Sequence, residues 1–159
     1  MPVKITPFLW FDDNLDEALR FYAEVFPGTV VHEVSRYGPG APGPEGAVMT
    51  ATFEIAGQRL MGLNGGPHFH FTEAFSLFVS VETQDEIDRL WSALTADGGQ
   101  QSQCGWLKDK FGLSWQIVPT ALSSLLGSPD PAAAGRAVQA MLQMRKLDIA
   151  VLQAAHDGS

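Results

Sequence analysis

The segment Asp16-Glu17-Ala18-Leu19-Arg20-Phe21-Tyr22 and the segment Asp85-Glu86-Ile87-Asp88-Arg89-Leu90-Trp91 carry the same pattern, with starts at 16 and 85 and hence an offset of 69. An internal repeat limits a chain to architectures in which one supersecondary unit is used twice. Leu15, Ala18, Leu19, Tyr22 and Phe26 make an apolar stripe at helical spacing, and Ile87, Leu90, Trp91 and Leu94 make its counterpart. Asn14 and Thr83 precede the two helices as caps, with Glu17 and Glu86 placed as in a capping box. Pro27-Gly28 ends the first helix and Asp97-Gly98-Gly99 the second.

Strand-like segments surround both helices. Ile5 to Phe11 precedes the first. Thr29 to Tyr37, Val48 to Ile55 and Arg59 to Leu63 follow it, the last two as a hairpin around Ala56-Gly57-Gln58. Phe75 to Val81 precedes the second helix. Gln100 to Cys104 and two short apolar runs follow, the runs joined by Asp109-Lys110-Phe111-Gly112, where Gly112 supplies the positive φ of a hairpin turn. The segment from Gly38 to Gly46, rich in Gly and Pro, is a loop. After Pro119 the pattern turns helical, over Ala121 to Leu126 and from Pro131 to about Ala155, with a break near Lys146.

The expected fold is therefore α+β: strand, helix and three strands, twice. Neither half is long enough to bury its own sheet well. Together they are expected to form one domain, 1–159, with a cupped mixed sheet around a cavity. Residues 1–66 and 67–119 are the two βαβββ modules, and 120–159 form a helical C-terminal extension. That extension carries Val138, Met141, Leu142, Met144, Leu147, Val151 and Leu152, an apolar stripe that packs on the domain or on a second copy in a homodimer.

Charge narrows the function. The net charge is −8 over 159 residues, the wrong sign for nucleic-acid binding. No apolar run approaches a membrane span, and no signal-peptide pattern opens the chain. A single cysteine, Cys104, excludes an intramolecular disulfide. A cytoplasmic protein with no membrane partner is expected.

Several motifs resemble one family. The opening Lys4-Ile5-Thr6-Pro7-Phe8-Leu9-Trp10-Phe11, the pair Phe21-Tyr22, Phe26-Pro27-Gly28 and the tail Met141 to Ile149 all resemble the PhnB-like branch of the vicinal oxygen chelate superfamily. The run Gly105-Trp106-Leu107-Lys108-Asp109-Lys110-Phe111-Gly112-Leu113-Ser114-Trp115-Gln116-Ile117-Val118-Pro119 is the most specific of these. The superfamily includes glyoxalase I, extradiol dioxygenases and bleomycin-resistance proteins, and some members of this branch carry the label 3-demethylubiquinone-9 3-methyltransferase. The resemblance implies paired βαβββ modules, a sheet cup and commonly a homodimer, but no particular reaction. The chain has no strand followed by a Gly-rich turn and helix for an adenosyl cofactor.

Metal-dependent members of the superfamily place ligands at four related points, early in strands one and five and inside strands four and eight. Carried onto this sequence, those points fall on Pro7, Met61, Ser76 and Gln116. None is a His or a carboxylate, so no metal is expected there. His68 and His70 alternate in Pro67-His68-Phe69-His70-Phe71. They could grip a divalent ion with a third ligand such as His32, or be surface histidines beside two aromatics. No acidic or Cys partner is adjacent, which favours the second.

The remaining candidates are Trp10, Trp106 and Trp115 as walls for a planar ligand, Asn64 and Gln116 as neutral amides that orient it, and Lys108 as an anion clamp. Catalytic candidates are Gln116, Lys108 and Cys104, the last as a thiol nucleophile. Each has a plain structural alternative: core tryptophans, turn asparagine, solvated hairpin tip, small apolar cysteine. Two functions follow. One is a metal-independent, cofactor-free binder of a small aromatic or amphipathic molecule, of the bleomycin-resistance kind. The other is an enzyme on a small metabolite, a lyase, isomerase or oxidoreductase of glyoxalase or dioxygenase type, with an unusual metal site or none.

Overall fold

Each half of the repeat builds its own four-stranded mixed sheet. The computed structural model describes residues 2–159. It divides into two compact units, one ending at Phe71 and the other running from Thr72 to Ser159.

The first unit contains β1 (Phe8–Phe11), α1 (Leu15–Val25), β2 (Val30–Arg36), β3 (Val48–Ile55) and β4 (Gln58–Asn64). The strand order is β1-β4-β3-β2. β1 runs parallel to β4, and the other neighbours are antiparallel. A parallel neighbour needs a long crossover, and the stretch from α1 to β3 provides it. Leu15, Ala18, Leu19, Tyr22 and Val25 of α1 are buried, together with Leu9, Phe11, Ala51, Phe53 and Leu60 from the strands. The helical stripe thus packs on one sheet face. Gly62 belongs to that face, since a Cβ there would stand 2.8 Å from a Leu15 methyl.

The second unit repeats this order with β5 (Ser76–Val81), α2 (Gln84–Thr95), β6 (Gln100–Gln101), β7 (Trp106–Lys108) and β8 (Ser114–Pro119), arranged β5-β8-β7-β6. Here too the first strand runs parallel to the last and the rest are antiparallel. Ile87, Leu90, Trp91 and Leu94 are buried with Leu107, Leu113, Trp115 and Ile117. The expected strand over Gln100 to Cys104 shrinks to two residues, because Cys104 has φ +56 and the chain turns there.

The C-terminal helices α3 (Ala121–Leu126), α4 (Pro131–Leu142) and α5 (Ile149–Asp157) belong to the second unit. Leu122, Leu125, Ala137, Leu147 and Leu152 bury one another against Val118. Main-chain hydrogen bonds fix the link between α4 and α5. Cys104 N donates to Met144 O at 2.9 Å and Gly105 N to Arg145 O at 2.8 Å. Gln84, at the start of α2, uses both ends of its amide: Nε2 donates to Leu147 O and Oε1 accepts from Ile149 N. Lys146 pairs with Asp88 at 2.8 Å. The apolar stripe of the tail is accordingly divided: Leu147 and Leu152 are buried, while Leu142 and Val151 stay exposed.

Two capping expectations have different outcomes. Thr83 Oγ1 accepts from Glu86 N, as a capping box requires. The Asn14 side chain makes no capping bond. Asn64 acts in its place, its Oδ1 accepting from Leu15 N at 2.9 Å while its Nδ2 donates to Val48 O at 3.0 Å. An amide on β4 thus satisfies the first free N–H of α1 and ties the helix to the sheet.

Candidate functional site

Strand alternation decides what a ligand on the second sheet can meet. In β8 and the residue before it, Leu113, Trp115 and Ile117 are buried on the α2 side, so Ser114, Gln116 and Val118 face the other way. Cross-strand pairing extends that opposite face into rows. Ser114 lies beside Ser76 on one side and Lys108 on the other, and Lys108 lies beside Gln100. Gln116 lies beside Phe78 and Trp106. One row is therefore polar from edge to edge (Gln100, Lys108, Ser114, Ser76), and the next is Trp106, Gln116 and Phe78.

The second row opens on a pocket of about 650 Å³, lined by Phe78, Cys104, Trp106 and Gln116 from the sheet side and by α3 and Met141 from the tail. Phe78 is 59 % exposed, an unusual state for a phenyl ring on a strand unless something covers it. Gln116 Nε2 donates to Ser76 Oγ at 3.0 Å. A smaller, more polar pocket of about 190 Å³ adjoins it, lined by Glu73, Gln100, Ser102, Lys108 and Ser114. Trp106 lines both. Lys108 pairs there with Glu73. That hydrogen-bonded ammonium holds the Glu73 carboxyl below its ordinary value.

The hairpin turn aligns these rows. Asp109 is 2 % exposed, not at a solvated tip. Its Oδ1 accepts from Phe111 N at 2.9 Å and Leu113 N at 3.1 Å, and its Oδ2 accepts from Trp115 Nε1 at 2.9 Å. Gly112, at φ +86, donates its N–H to Asp109 O.

The candidates of the sequence are therefore distributed unequally. Cys104, Trp106 and Gln116 line one pocket, and Trp106 and Lys108 line its neighbour. Trp115 is 1 % exposed on the covered face, bonded to Asp109, so it cannot touch a ligand held by Gln116. Cys104 donates its thiol to Met141 O, the role of a small residue under the tail. Trp10 and Asn64 lie in the first unit. Trp10 Nε1 donates to Gly66 O, and its ring meets Phe69 edge-on at 4.8 Å. Asn64 is committed to α1 and Val48 as described above.

His68 and His70 lie outside any strand, so the alternation that would aim both at one ion is missing. His68 borders a pocket of the first unit with Asp12, Asp13 and Tyr37. His32 is bonded to Glu54 at 2.7 Å. Among the described residues no group of three or more His, Cys, Asp or Glu side chains is placed to hold a metal ion.

Strand pairing also corrects one of the four metal points. Phe11 pairs with Asn64, and Val81 with Pro119. The first strands of the units are thus 81 − 11 = 70 apart, and the last strands 119 − 64 = 55. The caps Asn14 and Thr83 are 69 apart because the link from β5 to α2 is one residue shorter than that from β1 to α1. The partner of Ser76 is consequently Thr6, not Pro7. The four points read Thr6 and Met61 in the first unit, Ser76 and Gln116 in the second. Neither pair, a hydroxyl with a thioether or a hydroxyl with an amide, offers a charged or imidazole donor to a hard divalent ion.

Comparison with known proteins gives these features a family. Residues 3–118 match the family model for 3-demethylubiquinone-9 3-methyltransferase. The PhnB protein of Bacillus cereus is 37 % identical, with a TM-score of 0.67, over 74 % of this chain and 100 % of that one. A Pseudomonas aeruginosa protein shares the fold at 23 % identity and TM-score 0.61, over 74 % of this chain and 98 % of that one. So does the fosfomycin resistance protein FosX of Listeria monocytogenes, solved with Mn(II) and sulfate. It is 14 % identical, with TM-score 0.54, over 80 % of this chain and 98 % of FosX. No curated protein matches the chain. With its doubled four-stranded sheets and C-terminal helices it has the glyoxalase-like α+β fold, and it belongs to the 3-demethylubiquinone-9 3-methyltransferase (PhnB) family.

Proposed function

We propose that the chain binds a small aromatic or amphipathic molecule on the helix-free face of its second sheet, without the superfamily's metal. The observation that carries this reading is the pocket of about 650 Å³ beside Trp106, Phe78 and Gln116. Its size suits a small organic molecule. Two aromatic side chains offer stacking area, and Gln116 offers a neutral amide that both donates and accepts. The four neutral side chains at the superfamily's metal points support the metal-free part of the reading.

Methyl transfer, which the family description names, gains no support from the turns between strand and helix. Asp12-Asp13-Asn14 and Glu82-Thr83 contain no glycine, so neither forms a glycine-rich cradle. For a thiol-based reaction, Cys104 offers only its bond to a main-chain carbonyl.

The proposed state is a cytoplasmic homodimer. The edge strand β2 keeps Val30, Val31 and Val34 exposed, and such an edge needs a cover. Among the described residues no helix is long and apolar enough to cross a membrane. Light scattering at micromolar concentration reads the mass directly, and a monomer would overturn the dimer.

A thermal-shift screen tests the binding reading. Planar organic molecules should raise Tm, and Mn(II), Zn(II) or Fe(II) alone should not. Stabilisation by a divalent ion that Gln116→Ala abolishes would overturn it.

A further inference from the structure

Ser114 is 1 % exposed, and its Oγ is the buried side-chain polar atom without a hydrogen-bond partner among the described residues. An orphaned buried hydroxyl is disfavoured unless something reaches it. It lines the smaller pocket together with Lys108, its direct neighbour across β7 and β8. On its other side lies Ser76, whose Oγ already accepts from Gln116. The ammonium of Lys108 is taken by Glu73, a residue of the segment leading into β5. This polar row lies directly beside the row of Trp106, Gln116 and Phe78.

We propose that Lys108 and Ser114 form a carboxylate subsite, so that the ligand is an amphipathic monoanion with its planar body on Trp106 and Phe78. The inference rests on the binding reading above and names the chemical class of the ligand. Ser114 donates to one carboxylate oxygen and Lys108 to the other. Gln100 borders the same pocket on the far side of Lys108. One cation and one hydroxyl match a single negative charge, and a pocket of about 190 Å³ has room for a carboxylate head group. Glu73 shows that a carboxylate fits against this lysine. It occupies the lysine in the free protein and is displaced when the ligand's own carboxylate, backed by ring stacking, arrives. Glu73 is exposed, so water readily takes over its solvation.

Calorimetric titration of the full chain with naphthoate and with its neutral isostere naphthamide tests this. Naphthoate should bind about tenfold tighter, the usual scale for a charge-assisted pair of hydrogen bonds. Lys108→Gln should erase that preference by weakening naphthoate far more than naphthamide. Ser114→Ala should reduce the preference several-fold, and Glu73→Gln should tighten naphthoate alone. Equal binding of the two probes by the unaltered protein overturns the carboxylate subsite while the binding reading stands. A preference that survives Lys108→Gln overturns it as well. Failure of both probes to bind overturns both readings.

Discussion

Replacing Asp109 by Ala tests how the site is held in register. The carboxylate accepts from two main-chain N–H groups, Phe111 and Leu113, and from the indole of Trp115. Alanine strands these donors where water has little access. Each buried donor left unpaired costs about 1–3 kcal/mol, with bonds to a charged acceptor at the upper end. Full loss of the three would exceed about 5 kcal/mol, but relaxation of a hairpin turn lets some reach water. The expected net destabilisation is about 3–5 kcal/mol, the scale of breaking a buried network. For a chain of this length that lowers Tm by about 6–20 °C. Asp109→Asn keeps an acceptor for the main-chain pair but turns an amide N–H₂ toward the indole, and should cost about half as much. Urea unfolding followed by far-ultraviolet circular dichroism gives the free energies. The near-ultraviolet signal of the four tryptophans, compared with that of a Trp115→Phe variant, reports the lost indole bond separately. A change below about 1 kcal/mol for Asp109→Ala would refute the reasoning and leave the turn to Gly112 and the flanking strands.

Other consequences are as direct. Ser114→Ala removes an unpartnered hydroxyl and should stabilise the free protein by about 1 kcal/mol in urea unfolding; destabilisation would mean that the hydroxyl has a partner in solution. Gln84→Ala cuts the amide clamp on Leu147 and Ile149. It should cost about 1–2 kcal/mol and speed amide exchange over residues 144–152, with α1 unaffected. The Asp88 carboxyl is held below its ordinary 3.8, first by the hydrogen bond from Lys146 and then by that from Gln84. Its contribution is therefore fully present above that ordinary value and is lost as pH falls through the depressed one. Lys146→Met should flatten part of the acid limb of the stability profile; an unchanged limb would assign that slope to other carboxylates.

The duplicated scaffold was legible because helical stripes and their stops are local signals. Leu15 to Phe26 and Ile87 to Leu94 pack as their spacing demands. The match of Ser76 to Thr6 is not legible in sequence, because the link between strand and helix is one residue shorter in the second unit and no apolar pattern marks the loss. Asp109 and Asn64 misled for a shared reason. A charged or amide residue at a turn is usually solvated, and only tertiary pairing shows that these serve buried N–H groups. In sequence Phe78 is one more strand residue, because alternation gives two faces without saying which one the helix covers. Ser114 carried no sequence signal, since its distinction is a missing partner. The seat of Cys104 beneath the tail was equally hidden, since the tail docks there through main-chain bonds that any residue type can make.

The family match ends at residue 118, yet Leu122, Leu126 and Met141, which wall the larger pocket, lie after it. The second sheet thus supplies a floor, while the C-terminal helices supply one side of the chamber. Side-chain changes in α3 or α4 that face the chamber can reshape it without altering the strands, so the proposed pocket can vary where the family match does not reach. Substitutions at Leu126 or Met141 should therefore alter the proposed binding while both sheets stay folded.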